Sequence, residues 1–303
     1  MKILITGASG LVGSALTRHF ETSGHQILRA VRHEPRHDCE IEWHPNKGAL
    51  NPASLESLDT VIHLAGENIA AHRWSARQKQ KIRESRVKGT HLLAETLARL
   101  SHPPATLLCA SAIGYYGDRG EERLTEQSQS GTGFLAEVCR QWENATQAAR
   151  QKGVRVVQMR FAMILSRRGG ALPKMLTPFR FGFGGPAGNG RQFWSWIAID
   201  DLVGAIEHLL AHPELSGPFN FSSPEPVRSR EFARTLGKAL HRPAWFPAPA
   251  FVLRLVLGEM ADGLLLSSAR VHPERLIESG YQFKYSKVDQ ALCAAVAGHM
   301  TFL

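Results

Sequence analysis

The chain has 303 residues, 43% of them hydrophobic, and a formal net charge of +9. That suffices for one large or two small domains with an ordinary core, and no apolar run approaches the ~20 residues of a membrane helix. Cys39, Cys109, Cys139 and Cys293 form no C-x-x-C pair and the fourteen histidines no helical ligand pair, so neither a disulfide frame nor a metal site is expected.

Ile3 to Thr6 read as a buried strand rather than a signal peptide, as expected of a cytoplasmic protein. Gly7, Gly10 and Gly13 follow, spaced three apart, and open a helical stretch to about Ser23. Glycines here let the backbone turn and approach a pyrophosphate, while the helix N-terminus supplies free N–H groups and a positive dipole end. Gly7, Ser9, Gly10, Leu11, Val12 and Gly13 are therefore the expected cofactor loop. The next strand, Gln26 to Val31, ends in Arg32 and His33 with no acid to hold a ribose 2′-hydroxyl. Arg32, helped by His33 or Arg36, suits a 2′-phosphate instead, so NADP is expected over NAD.

A third strand near 60–64 runs into Leu64, Ala65 and Gly66, and a helix follows at 75–100. The dense basic patch Arg73, Arg77, Lys79, Lys81, Arg83, Arg86 and Lys88 lacks the interleaved aromatics of a nucleic-acid site, so no nucleic-acid partner is expected. A solvated helix face, partly turned to an anionic ligand, is the better reading. Further strands are expected at 105–110 and 154–160, with helices at 134–152 and 201–212. Residues 166–193 are rich in Gly, Pro and Arg and read as a long functional loop. A strand near 219–221 and helices near 229–240, 250–258 and 286–297 complete the pattern, the first two helices separated by a Pro-rich bend at 243–249. Strands alternating with helices imply an α/β, doubly wound parallel (Rossmann) sheet. Residues 1–165 with 194–212 are expected to form the cofactor domain. Residues 166–193 and 213–303 are expected to form a smaller substrate or lid region.

The spacing Gly7-x-x-Gly10-x-x-Gly13 resembles the extended short-chain dehydrogenase/reductase superfamily. Ala65-Gly66-Glu67-Asn68-Ile69, Arg73-Trp74, Ser85-Arg86 and Ile113-Gly114-Tyr115-Tyr116-Gly117 resemble its epimerase-like atypical subgroup. So do Pro178-Phe179-Arg180 leading to Gly184-Gly185-Pro186, Gly188-Asn189-Gly190-Arg191-Gln192 with Trp196-Ile197, and Gly280-Tyr281-Gln282-Phe283. The resemblance runs from residue 1 to the C-terminus. It implies NADP, adenine and ribose passing Leu64, Ala65 and Gly66, and Arg86 reaching the cofactor; the subgroup has no agreed substrate.

The catalytic Tyr-x-x-x-Lys pair of the wider superfamily is missing. Where it should fall, the chain has Phe134 and Val138. Ser111 is the candidate partner serine, though a gapless match on Tyr116-Gly117 places Ala112 there instead. Tyr116 and Tyr115 could replace the missing phenol as acid, with Glu137 and Cys139 as alternatives. On the substrate side Arg180, Asn189, Arg191, Gln192 and Trp196 suit a polar or anionic small molecule. Ala198 stands where the subgroup has histidine. Two readings follow: an NADP-dependent oxidoreductase or epimerase with an atypical site, or a non-catalytic NADP(H)-binding sensor. No membrane partner is expected, and a homodimer is left open.

Overall fold

The computed structural model describes residues 1–302. In chain order β1 (Lys2–Thr6) leads through α1 (Leu11–Thr22) to β2 (Gln26–Val31), β3 (Glu40–His44), β4 (Ala49–Leu50) and β5 (Thr60–His63). Then come α2 (Ala76–Arg99), β6 (Thr106–Ala112), β7 (Arg123–Leu124), α3 (Phe134–Asn144), α4 (Gln147–Gln151) and β8 (Arg155–Phe161). Past β9 (Met163–Leu165), the chain forms α5 (Leu172–Arg180), β10 (Phe193–Trp194), β11 (Trp196–Ala198), α6 (Ile199–Ala211) and β12 (Gly217–Phe221). β13 (Val227–Arg228), α7 (Ser229–Ala239) and α8 (Ala250–Leu257) follow.

The main sheet has eight strands in the order β12-β8-β6-β5-β1-β2-β3-β4. Pairs β1–β2, β1–β5, β2–β3 and β5–β6 are parallel, and β3–β4 is antiparallel. The chain builds from β1 one way to β3, then returns to β5 and builds the other way. This is the doubly wound arrangement, and its switch point lies between the carboxyl ends of β1 and β5. Ile3, Leu4, Ile5, Val61 and Ile62 are almost wholly buried. Continuous apolar runs of this kind are what a sheet covered on both faces selects.

The elements at 40–44 and 172–180 depart from the sequence reading. β3 alternates Glu40 and Glu42 with buried Ile41 and Trp43, too short a run to stand out from a loop. α5 lies inside the presumed loop 166–193; Leu172, Leu176 and Phe179 form its buried stripe despite Pro178.

By contacts the chain divides into two compact units, one of residues 1–111, 137–159 and 209–218, the other of 112–136, 160–208 and 219–303. The sequence reading instead grouped residues 1–165 with 194–212, and 166–193 with 213–303. Residues 112–136 join the second unit because Tyr116 and Leu124 bury against Val271. Residues 199–208 join it because Asp201 is tied down by its C-terminal part: the amides of Lys284 and Tyr285 donate to its carboxylate at 2.6 and 3.0 Å, and the Tyr281 hydroxyl to its carbonyl oxygen at 2.9 Å.

In the first unit a polar clamp joins β1 to β5. The amides of Leu64 and Ala65 donate to Thr6 Oγ1 at 3.1 and 3.2 Å, and Thr6 Oγ1 bonds His63 Nδ1 at 2.7 Å. With that oxygen already accepting twice, its hydroxyl proton goes to Nδ1. The imidazole proton then sits on Nε2, facing Thr90 Oγ1 at 3.0 Å. Burial pushes the His63 pKa down from 6.5 to about 4. Above pH 6.5 the ring is neutral folded or unfolded; between 6.5 and 4 only the unfolded chain takes up the proton, so stability falls as pH falls. The loss expected across that window is on the order of 3 kcal/mol, measured by urea unfolding at stepped pH, and a His63→Asn variant should lack this part of the pH dependence.

Candidate functional site

The turn after β1 is built for close approach. Gly7 has φ +72°, the left-handed region, and a β-carbon on it would lie 3.0 Å from the backbone at Leu64 and Ala65. At Gly13 a β-carbon would collide with the Gly7 carbonyl oxygen and come within 2.7 Å of Ala8 Cα. α1 can therefore begin directly against the end of β1, with Gly10 as its N-cap and no acidic side chain in its first turn. The amides of Leu11 and Val12 and that of Gly13 head the helix without intrahelical acceptors, and Ser9 stands exposed beside them. An anion is the complement of that end. Arg32, just past β2, is exposed and has no carboxylate partner among the described residues.

Gly66 follows Leu64 and Ala65 past the end of β5. A β-carbon at Gly66 would meet the Arg86 guanidinium carbon at 3.3 Å. Arg86 reaches this place from α2, whose start is capped by Ser75 Oγ accepting from the Gln78 amide at 3.2 Å. Its guanidinium carbon lies 5.0 Å from the Trp142 ring centroid, and Nη1 donates to the Ile82 carbonyl at 3.1 Å. Desolvation lowers the Arg86 pKa, opposed in part by the charge of Glu67, and no carboxylate among the described residues forms an ion pair with it. A partly buried cation left this way is costly by itself and is the complement of a bound anion. Elsewhere on α2, Lys88 pairs with Glu84 at 3.0 Å, the solvated face expected of the basic run.

At the end of β6, Ser111 is 2% exposed and its hydroxyl donates to Glu143 Oε1 at 2.7 Å. Glu143, on α3, is the residue the sequence reading missed. No local pattern marks it, because 32 residues separate the partners. Glu137 sits two turns earlier on α3, about half exposed, and pairs with Arg83 at 3.3 Å while accepting from Gln141 at 3.0 Å. It belongs to a surface ion pair.

The second unit places Tyr116 differently from the sequence reading. Tyr116 is fully buried, and its hydroxyl donates to Asn220 Oδ1 at 2.7 Å and accepts from Arg160 Nη1 at 2.9 Å. Burial pushes its pKa up to about 12. A phenol with no exposed surface and both hydrogen-bonding roles filled holds its own unit together. Arg160 also stacks 3.6 Å from the Tyr115 ring centroid. Of the expected substrate residues, Trp196 is fully buried with its indole N–H on the Glu225 carbonyl, and Gln192 is buried and donates to the carbonyls of Ala187 and Leu265. Both are structural. Asn189 Oδ1 caps the Arg191 amide at 2.9 Å, leaving the Arg191 and Arg180 side chains exposed. Among the described residues no cluster of metal-ligating side chains occurs. Tyr116→Phe should strip a partner from both Asn220 and Arg160 and cost about 1–3 kcal/mol in urea unfolding; loss of activity without loss of stability would return the phenol to the chemistry.

The profile of the NAD dependent epimerase/dehydratase family matches residues 3–221, and a domain of unknown function, DUF1731, matches residues 248–295. Epimerase family protein Mb2239 of Mycobacterium bovis is 41% identical over 290 residues, 96% of either chain. The crystal structure of human epimerase family protein SDR39U1 with NADPH superposes with a TM-score of 0.90 at 32% identity, covering 98% of this chain and 99% of that one. A nucleoside-diphosphate sugar epimerase from Corynebacterium glutamicum superposes with a TM-score of 0.82 at 37% identity, covering 99% of this chain and 59% of that one. Glycine-lined turn, doubly wound sheet and full-length likeness agree: the chain belongs to the NAD dependent epimerase/dehydratase family, within its epimerase-like, short-chain dehydrogenase/reductase branch.

Proposed function

We infer that the chain binds NADP(H) in its first unit and acts as an oxidoreductase or epimerase on a small polar or anionic substrate. The observation that carries this reading is Arg86, a partly buried guanidinium with no ion pair among the described residues, set beside the glycine-lined ends of β1 and β5. Gly7, Gly10, Gly13 and the first amides of α1 would hold the pyrophosphate. Arg32 suits the 2′-phosphate, and Leu64, Ala65, Gly66 and Arg86 the rest of the nucleotide. The NADPH in the human relative supports the assignment. Arg32→Ala should bring NADPH and NADH affinities to within about threefold, by losing roughly 1.5–3 kcal/mol of charge-assisted contact. Arg86→Met should weaken both cofactors alike in titration calorimetry, and unchanged binding would remove it from the site.

When bound, the nicotinamide would supply hydride acceptance and donation. The proton work falls to Ser111 and Glu143. Because the Ser111 proton already points at Glu143, its oxygen lone pairs are left to accept. A substrate hydroxyl giving its proton to Ser111 Oγ would do so as the Ser111 proton passes to the Glu143 carboxylate; reduction runs the same transfers backwards. The pair replaces a phenol and lysine with a hydroxyl and carboxylate. In the second unit the exposed Arg180, Asn189 and Arg191 suit a polar or anionic group. The nucleotide-sugar relative favours a substrate carrying phosphate.

Screening nucleotide sugars by NADPH absorbance and by exchange of labelled hydride gives the test. Ser111→Ala and Glu143→Gln should each lower turnover by about 10²–10⁴-fold while NADPH affinity holds within about twofold. Full activity in Glu143→Gln would refute the relay. A wild-type protein that binds NADPH tightly yet turns over none of these compounds would favour the sensor reading, which the missing Tyr-x-x-x-Lys pair also suits.

A further inference from the structure

Ten large apolar side chains are exposed among the described residues, and eight of them fall in two short segments, 181–183 and 245–256. The segments are neighbours in the second unit. Ala187 bridges Ala248, the Phe246 amide donates to the Gly184 carbonyl at 3.1 Å, and the Phe183 and Phe246 rings lie 6.1 Å apart. α8 starts two residues after that bridge and has no buried residue. Phe251, Val252, Leu255 and Val256 share one arc of the helix, so its apolar face is turned to solvent. Scattered exposed leucines need no explanation, but a contiguous aromatic and aliphatic face does.

Trp245, one of these exposed side chains, also lines an open cavity of about 840 Å³ together with five basic side chains: Arg230, Arg234, Lys238, His241 and Arg242. No acidic residue lines it. Arg242 Nε is spent on the Arg180 carbonyl, whereas the other four basic groups have no ion pair among the described residues. Glu231, on the same helix, is outside the lining. The only cation on α8, Arg254, is already neutralised by Asp262 at 2.9 Å.

We propose that the exposed α8 face and the basic cavity lined by Trp245 form a peripheral docking site for an anionic membrane surface, with Trp245, Phe251 and Leu255 entering the headgroup–acyl boundary and the α7 cations meeting lipid phosphates. Aromatic and aliphatic side chains beside unpaired basic groups are the complement of that boundary, where apolar area and anionic headgroups sit side by side. A second copy is a poorer complement. A two-fold contact would set the basic cavity against itself or against more apolar surface, leaving the cations unpaired. No helix of the described residues is long and apolar enough to cross a membrane, so the contact is with the surface alone.

The full-length protein is sedimented with vesicles of phosphatidylcholine and with vesicles of equal parts phosphatidylcholine and phosphatidylglycerol. Trp245, the most exposed tryptophan at 81%, should blue-shift on binding, and a Trp245→Phe control identifies its signal. Binding should be at least about tenfold tighter to the anionic vesicles and weaken with salt. Leu255→Ser with Phe251→Ser, and separately Arg234→Glu with Lys238→Glu, should each reduce it at least about tenfold. All four sites are exposed, and unchanged NADPH affinity and urea midpoint show that the variants fold. Equal binding to both vesicle types, wild-type binding by either double variant, or no binding at all would overturn the proposal. So would a concentration-dependent dimer abolished by the α8 variant, which assigns the face to a second copy, or binding of inorganic phosphate without vesicles, which assigns the cavity to a free anion. None of these outcomes depends on whether the chain turns over a substrate.

Discussion

The absence of a β-carbon at Gly13 is the constraint on which the nucleotide end of the molecule depends. α1 starts so close to the turn after β1 that a side chain there would overlap the Gly7 carbonyl oxygen. That closeness brings the open amides of the helix to the carboxyl end of β1. One residue earlier, Thr6 uses its hydroxyl to gather the amides of Leu64 and Ala65 and to lock the tautomer of His63. The ends of β1 and β5 are thus fixed relative to each other by steric exclusion on one side and by a buried polar network on the other. A network of this kind rigidifies only because each member is satisfied.

Three buried or partly buried arginines show how the same side chain divides between structure and function. Arg155 gives one guanidinium nitrogen to the carbonyls of Leu209, His212 and Leu215 and its Nε to Thr106. Arg160 packs against the rings of Tyr115 and Tyr116 and donates to a phenol. Each of these is paid off within its own unit. Arg86 has a helix carbonyl and an indole face, and Glu67 acts on its charge without forming an ion pair with it. Pairing, more than burial, separates these arginines from one another.

α3 makes a related exchange. The positions that resemble the superfamily's tyrosine and lysine hold Phe134 and Val138, and the helix instead extends Glu143 to Ser111. Tyr116 is withdrawn from solvent to anchor Asn220. A hydroxyl and a carboxylate from neighbouring elements of the first unit are thus hydrogen-bonded to each other. In the second unit α8 runs against the usual rule, its apolar arc outward, while α7, the helix before it in the chain, keeps Phe232, Ala233 and Leu236 buried and its cations at the cavity.

Much of the scaffold was legible in the residues themselves. β1, β2, β5 and β6 are apolar runs bounded by polar or glycine punctuation, and Gly7, Gly10 and Gly13 carry their own geometric reason. The basic end of β2 and the missing Tyr-x-x-x-Lys pair are likewise matters of local spelling. β3 and α5 escaped because glutamates interrupt the first and Pro178 and flanking glycines disguise the second. Arg86 was marked by resemblance, but its lack of an ion pair exists only once α2 and α3 are packed. Ser111 meets Glu143, Tyr116 disappears into Asn220 and Arg160, and Trp196 and Gln192 turn inward because residues far apart in the chain are brought within hydrogen-bonding reach. Sequence periodicity determines which face of an element is apolar; which element that face meets, and whether a polar group finds a partner, is decided by tertiary packing.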